Sequence, residues 1–147
     1  MNDTELLRMA IDLAAAAGRD GELPYGSLLV GPDGEILARE HNTMLSTGDI
    51  TAHPELKLAR WAALTLTPEE CRSITMYTSC QPCTMCSPVI ARARLGRVVF
   101  ALSADQLHHL QPAGLPRPDG AEVHYDGPSQ FDAAAAPISA YYGVVDE

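Results

Sequence analysis

Two short clusters carry the residue types that bind a metal ion and transfer protons. Residues 53–55 are His-Pro-Glu, and residues 82–86 are Pro-Cys-Thr-Met-Cys. One imidazole and two thiolates are ligands that zinc prefers, and three protein ligands leave a fourth position for water, as in catalytic zinc sites. The clusters therefore predict one catalytic zinc ion per chain, held by His53, Cys83 and Cys86 beside the Glu55 carboxylate.

The elements predicted around the clusters explain how the ligands would meet. Pro54 suits the first position of a helix, because its missing N–H needs no partner there, and a helix is predicted over 54–66. A second helix is predicted over 82–94. Cys83 and Cys86 are three residues apart, so they point the same way at its start, where the positive helix end favours thiolates. Two helix starts can thus converge on one metal.

Each cluster alone has other interpretations. A lone C-x-x-C is as often a redox or structural motif as a catalytic one, and a lone H-x-E is weak evidence for any site. Redox motifs of the thioredoxin type, however, follow a first strand without an upstream H-x-E. The presence of both clusters, separated by one helix and one strand, favours the catalytic zinc site.

Strands and helices alternate along much of the chain. The pattern of apolar residues and turn residues predicts a mixed sheet covered by helices, in an α/β fold. Residues 41–51 are predicted to be a loop, Thr67-Pro68-Glu69-Glu70 a capping box that starts a short helical turn, and the last helix to break near Pro137. The remaining helices are predicted at 3–17 and 131–142, and the strands at 26–30, 35–39, 74–78, 97–102 and, less regularly, 121–125.

Composition limits the class of protein. The 147 residues fit one domain, and 46% hydrophobic with 20% charged residues is typical of a globular chain. No apolar run is long enough to cross a membrane, and the acidic N-terminus lacks the basic start of a signal peptide, so we expect a cytoplasmic protein. The formal net charge of −9 argues against a long nucleic acid as partner.

The two clusters together match H-x-E…P-C-x-x-C, the signature of zinc nucleobase deaminases. The chain resembles the cytidine deaminase-like superfamily, nearest to the branch of bacterial guanine deaminases, tRNA adenosine deaminases and fungal cytosine deaminases. The resemblance implies one deaminase domain over 1–147 with a three-layer α/β/α fold, a central sheet of about five strands, and a pocket-closing tail from about residue 103. It rests on Pro24-Tyr25-Gly26, Asn42, residues 49–55, residues 77–86 and residues 96–100.

The resemblance implies hydrolytic deamination, in which water activated by zinc attacks the carbon that bears the amine and Glu55 carries protons. Asn42 matches the asparagine that hydrogen-bonds the base, although a loop asparagine that satisfies a turn is the alternative. Tyr25 matches an aromatic wall position, and a plain core aromatic is nearly as good an interpretation. Further pocket positions implied by the relatives are Asp105 after the strand at 97–102, and Tyr141 and Tyr142 in the tail.

Three departures from the family pattern bear on the substrate. Pro54 stands where most members have a residue with a backbone N–H that meets the pyrimidine carbonyl, which weakens the case for cytosine or cytidine. Gln81, at a position that the resemblance implies to bind substrate, stands where this branch often has glutamate. The tail has six acidic residues and no Lys or Arg from Pro118 onward, whereas tRNA-acting members end in a basic helix.

These observations predict a zinc-dependent deaminase of a free nucleobase or nucleoside, with a purine such as guanine as the leading substrate. The alternatives are a deaminase of cytosine, cytidine or another aminated heterocycle such as a triazine or pterin, a tRNA adenosine deaminase, and a catalytically silent zinc protein. A homodimer is also expected, because this branch commonly pairs through helices beside the metal and because Leu58, Trp61 and Leu64 offer apolar surface on one helix.

Overall fold

The computed structural model describes residues 1–115 and 123–143. In this part of the chain four strands alternate with helices in the order that the sequence predicts, with two further short helices. The strands are β1 (Gly26–Val30), β2 (Ile36–His41), β3 (Thr75–Cys80) and β4 (Arg97–Leu102). The helices are α1 (Asp3–Arg19), α2 (Met44–Thr47), α3 (Pro54–Thr65), α4 (Pro68–Arg72), α5 (Cys86–Ala93), α6 (Ala104–Leu110) and α7 (Phe131–Tyr142).

The four strands form one mixed sheet in the order β2-β1-β3-β4. β1 is antiparallel to both β2 and β3, and β3 is parallel to β4. The predicted mixed sheet is confirmed, with four strands in the described residues instead of about five. Residues 123–125 of the predicted last strand are not in a strand, and Val123 and Tyr125 are exposed, so no core surface pairs with them here. The other two residues of that prediction lie outside the described residues.

Helices cover both faces of the sheet, which confirms the three layers. Leu28 and Val30 of β1 pack with Leu6 and Ala10 of α1. The intervening Leu29 faces the other way, into a larger core with Leu58 of α3 and Ile90 of α5. All five residues of β1 are buried, because a strand covered on both faces has no solvent side.

Gly26 sets the distance between α1 and the sheet. A Cβ at this position would lie 2.6 Å from the backbone nitrogen of Ala14 and 2.7 Å from the carbonyl oxygen of Ala10. Only a residue without a side chain lets the helix approach the start of β1 this closely. The close approach fixes the position of the next residue, Ser27.

Three helix predictions differ from the structure. α5 begins at Cys86, after a turn at residues 84–85, and not at Pro82. α6 was not predicted, although its capping box of Ser103 and Gln106 is the same type of N-terminal motif as the confirmed box that precedes α4. α7 includes Pro137 within a single helix, so the predicted break is wrong, although an interior proline disfavours a regular helix.

Several large apolar side chains are exposed, but they are not all the ones that the sequence predicts. Leu58 is buried in the core and so offers no surface to a partner, contrary to the prediction, whereas Leu64 is exposed. β4 is an edge strand of the described sheet with Phe100 exposed, and no extensive packing of α7 on the other described elements is present. None of the described helices has the length and hydrophobicity needed to cross a membrane.

Candidate functional site

The predicted ligands form a compact cluster where α3 and α5 begin. His53 Nδ1 lies 3.6 Å from Cys83 Sγ and 3.4 Å from Cys86 Sγ, and the three ligand atoms all lie within 4.8 Å of one another. Zinc–nitrogen and zinc–sulfur bonds of ordinary length at a tetrahedral angle would place N and S about 3.5 Å apart. The donor set and its spacing therefore fit one zinc ion, as the sequence predicts.

Local backbone structure places each ligand. His53 is the N-cap of α3 in an extended conformation, with Pro54 as the first helical residue. Cys86 opens α5, and the carbonyl of Cys83 accepts a hydrogen bond from the Ser87 nitrogen at 2.9 Å, so Cys83 is held one turn earlier. Because α3 packs against α5, both helix starts meet at the same point.

The two thiols of the cluster shift each other's pKa values. A hydrogen bond from the Cys86 thiol, supported by His53, lowers the pKa of Cys83 to about 4. The same hydrogen bond, together with burial, raises the pKa of Cys86. Zinc binds cysteine as the thiolate, so a metal ion that binds both sulfurs displaces their protons.

Glu55 lies in the first turn of α3 with a buried side chain. Burial raises the pKa of its carboxyl above the ordinary value, against the opposing effects of its own backbone N–H, His53 and Ser27. A carboxyl whose pKa is moved toward neutrality is suited to accept and return a proton. Glu55 thus stands two residues from one ligand with the chemical properties of a general acid–base group.

Two buried hydroxyls support this carboxylate and were not predicted from the sequence. Ser27 Oγ lies 3.3 Å from Glu55 Oε1 and 2.7 Å from Thr78 Oγ1. When Thr78 donates to Ser27 and Ser27 donates to the carboxylate, each of the two hydroxyl protons has an acceptor. A polar residue within a strand that is buried on both faces is the one sequence feature that points to such a role.

Asn42 lies at the end of β2 with a fully buried side chain. Its backbone nitrogen donates to the carbonyl of Tyr25 at 3.0 Å, and its Oδ1 accepts from the Met44 nitrogen at 2.9 Å. The turn role that the sequence left open is therefore present. No described hydrogen bond uses the amide nitrogen of Asn42, so its N–H donors remain for another group.

Tyr25 is half-buried beside the carboxylate. Burial is the main cause that raises the pKa of its hydroxyl, and the charges of Cys80 and Glu55 raise it further. Burial also raises the pKa of the neighbouring Cys80, which is not one of the clustered ligand residues. A role of the Tyr25 ring as a wall of the substrate pocket stays a prediction.

The other predicted pocket residues are less closely associated with the cluster. Gln81 is exposed, and its Oε1 accepts from the Ala104 nitrogen at 2.9 Å, which ties β3 to the start of α6. Asp105 is exposed in the first turn of α6. Tyr141 and Tyr142 are 83% and 70% exposed on α7, and their described ring contact is with each other. A pocket role for these four residues stays a prediction.

A family model described as the cytidine and deoxycytidylate deaminase zinc-binding region matches residues 1–102. The chain is 35% identical over 97 residues to a tRNA-specific adenosine deaminase of Agrobacterium fabrum, covering 66% of this chain and 63% of that protein. It is 31% identical over 105 residues to a probable cytosine deaminase of Schizosaccharomyces pombe, covering 71% of this chain and 63% of that protein. The chain thus spans less than two thirds of these curated relatives.

The whole fold also matches a solved structure. The X-ray structure of guanine deaminase from Bacillus subtilis aligns with a TM-score of 0.77 at 25% identity, covering 100% of this chain and 98% of that one. These three relatives are named for different bases, and all three are deaminases.

Proposed function

Because this chain belongs to the cytidine and deoxycytidylate deaminase zinc-binding family, we propose that it is a cytoplasmic hydrolytic deaminase of a free nucleobase or nucleoside, with a purine such as guanine as its leading substrate. The observation that carries the proposal is the juxtaposition of three zinc-type ligands with the buried carboxylate of Glu55. The reaction converts the amine-bearing ring carbon and water into a ring carbonyl and ammonia.

Each residue of the site has a separate role in this reaction. His53, Cys83 and Cys86 hold the zinc ion, which when bound supplies Lewis-acid activation of water. Glu55 accepts a proton from the attacking water and delivers it to the ring nitrogen beside the reacting carbon. It then helps to protonate the departing amine, so one carboxylate transfers protons in both directions. Ser27 keeps the carboxylate oriented, Asn42 donates to the base, and Tyr25 packs against it.

Charge favours a small substrate over tRNA. The identity to a tRNA-specific adenosine deaminase supports tRNA adenosine as the second candidate. A protein that binds a phosphate backbone needs a basic surface, however, and this chain has a net charge of −9 with an acidic tail. Adenosine in tRNA is therefore a less favoured substrate than a free base.

Pro54 favours a purine over cytosine or cytidine. It is buried at the first position of α3, next to Glu55, and has no N–H to donate. A pyrimidine carbonyl at this point would lose its donor, whereas adenine presents only C2–H in the equivalent pose and guanine, attacked at C2, presents a different edge. We expect kcat/KM for guanine to exceed that for cytidine, and Pro54→Ala to raise weak cytidine turnover by up to about tenfold, the effect of one ordinary hydrogen bond.

The measurement is ammonia release by the zinc-loaded protein from guanine, adenine, their nucleosides, cytosine, cytidine, a triazine and a pterin. Pro68→Ala is a matched control, since Pro68 also occupies the first position of a helix but lies on α4. Strong cytidine turnover that Pro54→Ala leaves unchanged would show that the proline does not select the substrate. No ammonia from any compound would support the catalytically silent protein.

We also propose a homodimer. Large apolar side chains are exposed on α3, β4 and α7, and a chain with this surface gains by burying it against a second copy. Sedimentation at micromolar concentration is expected to give twice the chain mass of 15.7 kDa. A monomer under these conditions would contradict the proposal. The side chains concerned are Leu64, Phe100, Phe131, Ile138, Tyr141 and Tyr142.

A further inference from the structure

We propose that Lys57 is a positioning residue for substrate recognition, because its ammonium group holds the chain on both sides of Asn42 against helix α3. The inference rests on the proposed function, in which the Asn42 amide donates to the base. It adds a residue that neither of the two sequence clusters contains.

The ammonium group of Lys57 has three donors, and three acceptors surround it. Nζ lies 2.8 Å from the carbonyl oxygen of His41 and 3.1 Å from Thr43 Oγ1, the residues that directly precede and follow Asn42. The third acceptor is Glu40 Oε2 at 2.8 Å. Hydrogen bonds from a charged donor are stronger than neutral ones, so the two contacts that flank Asn42 restrain its backbone.

The position of Lys57 on α3 connects this restraint to the metal site. Lys57 follows His53, the N-cap of α3, by four residues and so lies about one turn further along the chain. The Lys57 nitrogen donates to the His53 carbonyl at 3.1 Å, as the first hydrogen bond of that helix. The N-cap and the first turn of α3 therefore carry the candidate ligand His53, the Glu55 carboxylate and the group that holds Asn42, so their relative positions are set together.

Other contacts keep the segment folded without Lys57. The Asn42 nitrogen donates to Tyr25, and the Thr43 nitrogen donates to the Ala52 carbonyl at 3.1 Å. Loss of the ammonium group would therefore leave the fold intact and allow the amide of Asn42 to shift. The ion pair with Glu40 is partly exposed, and such pairs contribute little, so the two contacts that flank Asn42 are the ones that matter.

The test is Lys57→Met, which keeps the length of the side chain and removes its donors. A hydrogen bond to the base that is made equally in the ground state and the transition state affects KM alone. We expect KM for guanine to rise about tenfold with kcat within about twofold of wild type, and Lys57→Arg to recover part of the loss. Glu40→Gln is the matched control, since it removes the ion pair and leaves both flanking contacts, and we expect its KM to be unchanged.

A double-mutant cycle with Asn42→Ala separates positioning from a purely structural role. If Lys57 acts through Asn42, Lys57→Met adds no further increase in KM when the amide is already absent. A structural role would lower Tm and raise KM in both backgrounds. An unchanged KM in Lys57→Met, or a full increase in the Asn42→Ala background, would overturn the inference.

A wrong substrate assignment can be distinguished from a wrong role for Lys57. If the wild type releases no ammonia from guanine, the cycle is run with the best compound of the substrate panel. If no compound of the panel is turned over, amide hydrogen exchange is measured on the zinc-loaded protein in place of the double-mutant cycle. Faster exchange at Thr43 and Met44 in Lys57→Met, with exchange in α1 unchanged, supports the restraint, and equal exchange in both proteins overturns it.

Discussion

Replacing Glu55 by glutamine is expected to lower kcat by about 10²–10⁴-fold while the protein keeps its full zinc content. Glutamine has the same shape but cannot accept the proton of the attacking water or return it to the ring and the departing amine. Glu55 is not one of the clustered ligand residues, so its charge is not required for metal binding. The measurement is kcat for ammonia release, with zinc per chain determined on the same samples.

The control for this variant is Glu69→Gln, which makes the same chemical change at an exposed glutamate on α4. We expect its kcat to equal that of the wild type. A Glu55→Gln protein that turns over substrate normally would remove Glu55 as the proton carrier. A variant that has lost both zinc and activity would instead assign the carboxylate to metal retention.

Cys86→Ser is expected to reduce zinc from one ion per chain to a small fraction and to abolish turnover. Serine is a poor zinc ligand at neutral pH, and only His53 and Cys83 would remain from the three-residue cluster. Zinc bound to the folded state also adds to its stability, so Tm should fall in this variant and in wild-type protein treated with a chelator. Elemental analysis and thermal unfolding measure the two effects.

Cys71→Ala provides the matched control, because Cys71 is equally buried but is a residue of α4 that packs into the core. We expect this variant to keep one zinc per chain, whatever its cost in stability. Full zinc content in Cys86→Ser, or zinc loss in Cys71→Ala, would show that the ligands lie elsewhere.

The metal ligands could be predicted from the sequence because their chemistry and their local structure coincide. Pro54 marks the start of α3, and Cys86 opens α5 with Cys83 three residues before it. Histidine and cysteine at two helix starts have few functions other than metal binding. The mixed sheet followed from the alternation of apolar strands with helices, which the solvent-excluded β1 confirms.

The supporting residues could not be predicted in the same way. Ser27, Thr78 and Lys57 act through contacts between elements far apart in sequence, and these contacts depend on strand register and on the close packing of α3 against β2. A serine in a strand or a lysine in a helix is ordinary on its own. The strand predicted near residue 123 failed for a related reason, since its β-forming residues find no partner strand in the described chain.

Gly26 has a practical consequence for attempts to change the substrate by directed evolution. We expect any side chain at this position to push α1 away from the start of β1 and so to shift the adjacent Ser27, whose hydroxyl lies against the Glu55 carboxylate. In a randomised library that includes position 26, we therefore expect the clones without glycine there to lose activity. Libraries that vary the proposed substrate contacts Tyr25 and Asn42 should therefore keep glycine at position 26.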